Sequence, residues 1–371
     1  MRRAATIHLD PQALRHNLAT ARRIAPATYM WSVIKAEGYG HGLFWTSASL
    51  GEVSDGLAVS ELEEARALRR TGYGGALLVL QGFRDRAGAR ACREWCLQPV
   101  LHAGHQLDLL DAAGVRLPEV WVKLNTGMNR LGFDPTEASS VRQRLQATGH
   151  GTRGLHWMTH LACADEPQHP QNAGQLEAFA VATRNQPGAR SVANSAALFA
   201  GWARGAKPDA GTDYWARPGI MLYGAHPASV PLDDPPEGPV ADLRPVMTVR
   251  APIIATQPLE PGSTVGYGAT WSAQRPGRAG IVAMGYADGY PRHAPSGTPT
   301  LVQGHICPLI GRVSMDMLAV DLGALPTART GDMVTLWGRG LPVERVARAA
   351  GTISYELLTR VADRLQPGRD D

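Results

Sequence analysis

The chain has 371 residues, 44% of them hydrophobic and 19% charged, which excludes a mainly disordered protein and suffices for a barrel plus a smaller domain. The formal net charge of +4 is modest, and no basic cluster with interleaved aromatic residues indicates a nucleic-acid-binding surface. No stretch approaches the roughly 18 apolar residues of a membrane span, and no apolar signal core follows the N-terminus, so we expect a cytoplasmic protein.

The cysteines are Cys92, Cys96, Cys163 and Cys307. Their spacing forms neither a Cys-x-x-Cys pair nor a metal-ligand pattern, which indicates a reducing compartment. Cys92 and Cys96 lie one helical turn apart, and two small residues on one helix face explain that spacing better than a metal site does. We therefore expect no metal.

The first 225 residues alternate predicted helices and strands. Asp10 and Pro11 are typical of a helix start, and a capping box is expected at Ser60 and Glu63. Strands are predicted at 29–34, 56–59, 76–80, 99–101, 120–124, 155–159 and 191–193, and the last apolar stretch is 220–223. Helices are predicted from 60 to 70 and at 85–96, 106–113, 137–146 and 175–184. This alternation predicts an α/β fold, a (β/α)8 TIM-type barrel, with its active site at the carboxyl ends of the strands.

The composition and the predicted secondary structure of the chain change after Ala225. Residues 226–239 are rich in proline and predict a linker or surface loop. Short β-type runs follow at 247–255, 264–267, 281–284, 306–313, 317–320 and 334–337, and a helix pair at 343–350 and 355–365 closes the chain. We predict a barrel domain over 1–235 and a mostly β C-terminal domain over 236–371.

The most informative stretch, 31–42, reads Trp-Ser-Val-Ile-Lys-Ala-Glu-Gly-Tyr-Gly-His-Gly. A buried strand ends in Lys35, and a glycine-rich turn follows. Desolvation lowers the pKa of a lysine, and a neutral lysine is a nucleophile for carbonyl groups. Backbone N–H groups in a turn of this kind can face an anion. The stretch therefore predicts a Schiff-base lysine beside an anion site.

Seven further strings follow in order. They are Lys-Leu-Asn-Thr-Gly-Met-Asn-Arg-Leu-Gly at 123–132, Met-Thr-His-Leu-Ala-Cys-Ala-Asp-Glu at 158–166, Asn-Ser-Ala-Ala at 194–197, Ala-Arg-Pro-Gly-Ile-Met-Leu-Tyr-Gly at 216–224, Met-Gly-Tyr-Ala-Asp-Gly-Tyr-Pro-Arg at 284–292, Gly-Arg-Val-Ser-Met-Asp at 311–316 and Ile-Ser-Tyr-Glu at 353–356. Together with 31–42 they resemble, in order, the motifs of alanine racemases, the barrel-type pyridoxal-phosphate enzymes of fold type III. The departures are Glu37-Gly38 in the lysine segment and Asn125, where the family usually has Asp.

The resemblance implies pyridoxal 5'-phosphate as cofactor. It implies that Lys35 carries the cofactor and that its other contacts are Tyr39, Arg130, His160, Asn194, Ser195, Arg217, Gly219, Ile220 and Tyr355. Arg130 would contact the phenolic oxygen, His160 would stack on the ring, and Arg217 would donate to its nitrogen. Lys123 occupies a position that is carbamylated in many members, a state that the sequence does not decide.

The resemblance also implies a head-to-tail homodimer that acts on alanine. Lys35 would remove the α-proton of D-alanine, and Tyr286 of the other subunit that of L-alanine. Substrate would be bound by Arg130 and by the backbone of Met315, and Asp165, Arg312 and Ile353 would lie at the entrance. The implied role is supply of D-alanine for peptidoglycan, or alanine catabolism.

Three alternatives stay open. The first is a racemase that prefers serine or a broader set of amino acids, with Tyr355, Ile353 and Tyr290 controlling side-chain size. The second is a decarboxylase of the same architecture, although a carboxylate typically meets the ring nitrogen there, where this chain has Arg217. The third is a non-catalytic pyridoxal-phosphate carrier built from the barrel alone, which the β domain with Tyr286 disfavours.

Overall fold

The computed structural model describes residues 4–203, 211–227, 242–323, 325–361 and 366–367. Its strands are β1 (Thr6–Leu9), β2 (Tyr29–Val33), β3 (Gly56–Val59), β4 (Ala76–Val79), β5 (Gln98–Leu101), β6 (Glu119–Lys123), β7 (Gly154–Met158), β8 (Arg190–Ser191), β9 (Trp215–Ala216), β10 (Met247–Leu259), β11 (Gly277–Val282), β12 (Pro299–Val302), β13 (His305–Pro308), β14 (Leu318–Asp321), β15 (Met333–Trp337) and β16 (Gln366–Pro367). Its helices are α1 (Pro11–Ile24), α2 (Lys35–Gly40), α3 (Leu43–Leu50), α4 (Leu62–Arg70), α5 (Arg86–Glu94), α6 (Gly104–Ala113), α7 (Ala138–Ala147), α8 (Pro170–Thr183), α9 (Ser195–Phe199), α10 (Val343–Ala349) and α11 (Ser354–Thr359). Within these ranges, every helix is too short or too polar to cross a bilayer.

Strands β2 to β9 form one parallel sheet in the order β8-β7-β6-β5-β4-β3-β2-β9. Parallel bridges from Arg190 to Tyr214 and from Asn194 to Arg217 join its two edges. The sheet is therefore closed, and the predicted α/β barrel is confirmed. Closure brings the carboxyl ends of all its strands to one rim, where the loops after them can share a cavity.

Tryptophan rings fill the barrel interior beneath that rim. Trp31 of β2 stacks on Trp215 of β9 with ring centroids 4.4 Å apart, and its edge meets Trp121 of β6 at 6.1 Å. Strands β2 and β6 are not neighbours in the sheet, so the rings of Trp31 and Trp121 meet across the barrel interior. Gly56 of β3 leaves space for the Trp31 ring, which a Cβ there would overlap. The barrel is thus a packed core with its opening at the rim.

The second sheet is mostly antiparallel and runs β13-β12-β15-β10-β1-β16, while β11 pairs with β10 and with β14. The long strand β10 pairs with three others and organises this domain. The mostly β C-terminal domain is thus confirmed. The N-terminal strand β1, which the sequence analysis did not predict, pairs antiparallel with β10 and so belongs to this sheet. The predicted domain boundary at 235/236 lies outside the described residues.

Several local predictions can be checked. The helix start is confirmed, because Oδ1 of Asp10 accepts hydrogen bonds from the backbone N–H groups of Gln12 and Ala13. The capping box is wrong by one residue: α4 begins at Leu62, and the carboxylate that reaches back is that of Glu64. The apolar stretch 220–223 forms a 3-10 helix after the last barrel strand. In the C-terminal domain the sequence analysis missed β12, and the predicted strand at 264–267 contributes only an isolated bridge from Thr264 to Ser272.

Candidate active site

A cavity of about 720 Å³ opens at the carboxyl rim of the barrel. Most of the predicted site residues line it, namely Lys35, Tyr39, Lys123, Arg130, His160, Asn194, Ser195, Arg217, Gly219, Ile220, Ile353 and Tyr355. They converge because they lie at or just after the ends of different parallel strands, except Ile353 and Tyr355, which lie at the start of α11. The cavity is therefore walled by the barrel and, on one side, by the C-terminal part of the chain.

Lys35 begins a left-handed turn. Four successive residues, Ala36 to Tyr39, have φ between 53° and 58° and ψ between 41° and 56°. Left-handed backbone costs about 1–2 kcal/mol for each residue that carries a Cβ, so this turn is strained at three positions. Hydrogen bonds hold it: the N–H of Gly38 donates to Ile34 O, and Nδ1 of the buried His41 lies 3.0 Å from the carbonyl oxygens of Gly38 and Tyr39.

Cations dominate the cavity wall. Burial lowers the pKa of Lys35, and the charges of Arg130 and Arg217 lower it further while Glu64 acts in the opposite direction. Burial, followed by Arg217, Arg130 and Lys35, lowers the pKa of Lys123 to about 7. The wall therefore repels further positive charge and favours an anionic ligand.

Arg217 is buried and bonded on several sides. Its Nη2 donates to Thr159 O over 2.7 Å and to Val192 O over 3.1 Å, and its Nη1 donates to Oγ of Ser191. Burial lowers its pKa to about 9. An arginine does not give up its proton in a protein, so this side chain is a fixed hydrogen-bond donor.

His160 takes its orientation from Arg217. Nη2 of Arg217 lies 3.3 Å from Nδ1 of His160. Because an arginine only donates, Nδ1 is the accepting nitrogen, and the neutral ring carries its proton on Nε2. Nδ2 of Asn194 lies 3.4 Å from that Nε2, where two donors face each other without a hydrogen bond. Burial, reinforced by Arg217 and Lys123, holds the pKa of His160 well below its usual range. The ring is therefore neutral and presents an Nε2–H donor.

Hydroxyl and backbone N–H groups form a polar cradle at one end of the cavity. Oγ of Ser195 accepts from the N–H of Gly219 over 2.9 Å and from that of Met221 over 3.5 Å. The hydroxyl of Tyr39 lies against Gly219, at the place where a Cβ would stand, and the Tyr39 ring stacks on Tyr223 at 4.7 Å. The two N–H groups converge on the Ser195 hydroxyl, and a cluster of such donor groups at the cavity suits a multiply charged oxyanion.

The loops behind these residues are braced by Gln175 of α8, which sequence reasoning missed. Its Nε2 donates to His160 O over 3.0 Å, and its Oε1 accepts from the N–H of Ala162 over 2.9 Å. Asn125 preserves the turn that carries Arg130, because its Oδ1 accepts from the N–H of Asn129 over 2.9 Å, as an Asp would. No pattern in the sequence singled out Gln175, because its burial within α8 is a feature of the fold.

Four predicted site residues lie outside the cavity lining. Tyr286, Met315 and Arg312 lie on the C-terminal domain and are exposed, Tyr286 to 38% and Met315 to 55%. The backbone N–H of Tyr286 donates to Ser314 O, and that of Ala287 donates to Met315 O, both over 3.0 Å. Asp165 is exposed on the loop after β7, and its charge, after burial, helps to raise the pKa of Tyr355 to about 12.

The expectation that Tyr290 controls side-chain size at the entrance is wrong. Its side chain is 1% exposed and its ring packs against Trp337, 6.1 Å between centroids, in the core of the C-terminal domain. The glycine turn at Gly289 sends Tyr290 inward while leaving Tyr286 at the surface. Only Tyr355 and Ile353 of that proposed set reach the cavity.

The fold and the cavity define a two-domain barrel enzyme with a buried, cation-rich site that contains a strained lysine turn. The alanine racemase N-terminal domain matches residues 9–227, and the alanine racemase C-terminal domain matches residues 246–367. The chain belongs to the alanine racemase family, a family of isomerases.

Individual relatives match the chain over almost its full length. The chain is 51% identical to an alanine racemase of Thioalkalivibrio sulfidiphilus, with 99% of both chains covered. It matches the crystal structure of the biosynthetic alanine racemase of Pseudomonas aeruginosa with a TM-score of 0.90, 42% identity and 100% of both chains covered. It also matches an alanine racemase of Bartonella henselae, solved with covalently bound pyridoxal phosphate, at a TM-score of 0.82, 25% identity and coverage of 98% and 99%.

Proposed function

We propose that this chain interconverts L-alanine and D-alanine by two-base proton transfer, with pyridoxal 5'-phosphate held by Lys35 and with Tyr286 of a second copy as the other base. The observation that carries the proposal is the convergence of Lys35, Arg217, His160 and the Ser195 cradle on one cavity at the rim of the barrel.

The residues present fit this cofactor. Pyridoxal phosphate carries a phosphate and a phenolate, and the cavity offers the guanidinium groups of Arg130 and Arg217 as balancing cations. The cradle of Ser195 with the N–H groups of Gly219 and Met221 suits the phosphate, with Tyr39, Tyr355, Asn194 and the backbone of Ile220 as further contacts. When bound, the cofactor draws electrons away from the substrate α-carbon and makes its hydrogen acidic.

Lys35 acts as a base because its amine is partly desolvated and lies among cations. Both effects favour the neutral form, which can accept a proton on one face of the substrate and return it there. Arg217 would face the ring nitrogen and donate a hydrogen bond without transferring its proton. His160 would pack on the ring, and its Nε2–H would remain available to the second base.

In this proposal the second base comes from another copy of the chain. Tyr286 does not line the cavity of its own chain and is exposed on the C-terminal domain beside Met315. Exposed Tyr267, at 71%, and Met317, at 43%, extend this apolar surface. A head-to-tail homodimer would cover it and would bring Tyr286 and the Met315 backbone to the partner's cavity, with Arg312 at the entrance beside Asp165 and Ile353.

Lys123 has the properties of a carbamylated lysine. With a pKa of about 7 its amine is substantially neutral near neutral pH, and a neutral amine attacks carbon dioxide. The nitrogen–carbon bond forms, one proton leaves to solvent, and the product is an anion. That anion would lie among Arg130, Arg217 and Lys35, and it would hold Arg130 toward the cofactor and the substrate carboxylate.

Hydrogen exchange at the α-carbon tests this function. In D2O the chain should exchange and invert both alanine enantiomers, with serine as the competing substrate. Tyr286→Phe should retain cofactor binding and exchange of D-alanine but lose exchange of L-alanine. Normal exchange of both enantiomers by this variant would refute the assignment of Tyr286, and faster turnover of serine than alanine would favour the broader racemase.

Mixed dimers test the shared site. Lys35→Ala and Tyr286→Phe chains should each be nearly inactive, but a heterodimer of the two would contain one intact site. A random mixture should therefore recover about a quarter of the unaltered activity. If both bases came from one chain, mixing would recover none. The cytoplasmic location and the biosynthetic or catabolic role of the reaction stay predictions.

A further inference from the structure

The carboxylate of Glu64 binds three backbone N–H groups from two strand ends. Its Oε1 accepts from Ala36 over 2.8 Å, and its Oε2 accepts from Ser60 over 2.8 Å and from Glu61 over 2.9 Å. Glu64 lies on the first turn of α4 and is half-buried. One side chain therefore joins the turn that follows β2 to the end of β3.

The bond to Ala36 falls directly after Lys35. Ala36 is the first residue of the left-handed turn, with φ of 53°, a conformation that residues with a Cβ adopt only when their surroundings hold them there. A hydrogen bond to a carboxylate is about twice as strong as one between neutral groups. Glu64 therefore fixes the direction in which the chain leaves β2, and with it the place where the Lys35 side chain begins.

Glu64 also carries a negative charge, which opposes the effect of the positive groups around the Lys35 amine. The charged groups around the Lys35 amine are Arg130 from the loop after β6, Lys123 at the end of β6 and Arg217 after β9, all positive. His160, Tyr39 and Tyr355, which also line the cavity, are neutral. A second carboxylate, Glu356 of α11, lines the cavity and is paired with Arg360. Glu64 is the anion that acts on Lys35 from α4.

We propose that Glu64 is the positioning residue of Lys35, fixing the backbone from which the lysine projects and supplying the negative charge that lets its amine hold a proton. The proposal rests on the proposed function, in which Lys35 must both accept and return a proton. Without Glu64, the surrounding cations would leave the amine neutral over a wider pH range, and it would hold a proton less readily once it had taken one.

Competitive labelling measures the proton affinity of Lys35 without any turnover. The full-length chain, stripped of cofactor, is treated with trace acetic anhydride across a pH series, and acetylation of the Lys35 peptide is read by mass spectrometry. Glu64→Gln should move the midpoint of Lys35 labelling to lower pH, so that labelling below the midpoint rises about tenfold. The matched control is Glu63→Gln, since Glu63 is exposed and pairs with Arg66; it should leave the midpoint unchanged.

Glu64→Asp covers the case in which the Gln variant does not fold. It keeps the charge but shortens the reach, so amide hydrogen exchange at Ala36 should become faster while the labelling midpoint moves less than in the Gln variant. A Gln variant that folds with an unchanged midpoint, or an Asp variant with unchanged Ala36 exchange and midpoint, would overturn the proposal. Racemase activity is not part of this readout, so failure of the proposed function would be seen separately, in the α-hydrogen exchange of alanine.

Discussion

Nη2 of Arg217 faces Nδ1 of His160 at 3.3 Å, and because an arginine only donates, this contact places the imidazole proton on Nε2. The donor is permanent, so the accepting nitrogen is fixed as well. The remaining Nε2–H can then serve a base that approaches from outside the chain. The contact thus links the group at the base of the cavity to the place where a second copy would insert Tyr286.

The first prediction concerns this tautomer. In 15N-histidine spectra of the full chain, His160 should show the Nε2–H form and should not titrate near the ordinary histidine pKa of 6.5, because burial and the neighbouring cations hold its pKa well below the usual range. Arg217→Lys should remove the preference for the Nε2–H form, since a lysine cannot reach Ser191, Thr159 and His160 together. A His160 titration near its ordinary pKa in the unaltered chain would contradict this account.

The second prediction concerns Lys123. With 13C-bicarbonate at about pH 8, the folded chain should show a carbamate carbon signal that is lost on acidification, because the pKa of about 7 leaves most of the amine neutral there. Lys123→Arg should abolish the signal, as a guanidinium does not react. A signal that persists in Lys123→Arg would belong to another amine, and no signal in the unaltered chain would show Lys123 as an ordinary lysine.

Much of the site was accessible from the sequence because its residues follow predicted strands. Lys35, His160 and Arg217 each come within two residues of a barrel strand, and a closed parallel sheet brings such positions to one rim. Neither the local pattern nor the motif could show that Ala36 and Glu37 adopt left-handed backbone, since non-glycine residues seldom do. The glycines at 38, 40 and 42 indicated only that a turn follows.

What the sequence did not reveal depends on pairing between distant segments. Glu64 meets Ala36 only after β2 and β3 lie side by side. The capping box was placed one residue early because Glu63 and Glu64 are adjacent and the pattern fits either of them. Strand β1 joins the C-terminal sheet through β10, about 240 residues away in sequence. The prediction for Tyr290 was wrong for a different reason. The turn that leaves Tyr286 exposed directs the side chain of Tyr290 into the core.

The third prediction concerns the packing of the barrel core. Gly56→Ala places a methyl group on the Trp31 ring and should lower the free energy of unfolding by about 1–3 kcal/mol. Gly174→Ala is the matched control: it lies within α8, is exposed and has open space around its Cβ. That change should raise stability by about 0.5–1 kcal/mol. Urea denaturation measures both, and equal effects would show that the tryptophan packing is looser than described.

The fourth prediction concerns acid stability. His41 is 3% exposed, and burial lowers its pKa to about 4 from the ordinary 6.5. The unfolded chain binds a proton on this residue between those values while the folded chain does not, so the stability contribution is complete above pH 6.5 and is lost as the pH falls toward 4. The loss reaches about 3 kcal/mol.

His41→Asn should flatten the dependence of unfolding free energy on pH in that window, because an amide does not titrate there. The exposed His305 provides the comparison, since His305→Asn should leave the slope unchanged. Denaturant midpoints at a series of pH values give both slopes. An unaltered slope in His41→Asn would show that the buried imidazole is not responsible.

The most direct measurement is borohydride reduction of the purified chain after loading with pyridoxal phosphate, followed by digestion and mass spectrometry. Reduction fixes the cofactor to whichever amine holds it. The account predicts one pyridoxyl group, on the peptide that contains Lys35. A pyridoxyl group on another lysine, or on none, would contradict it.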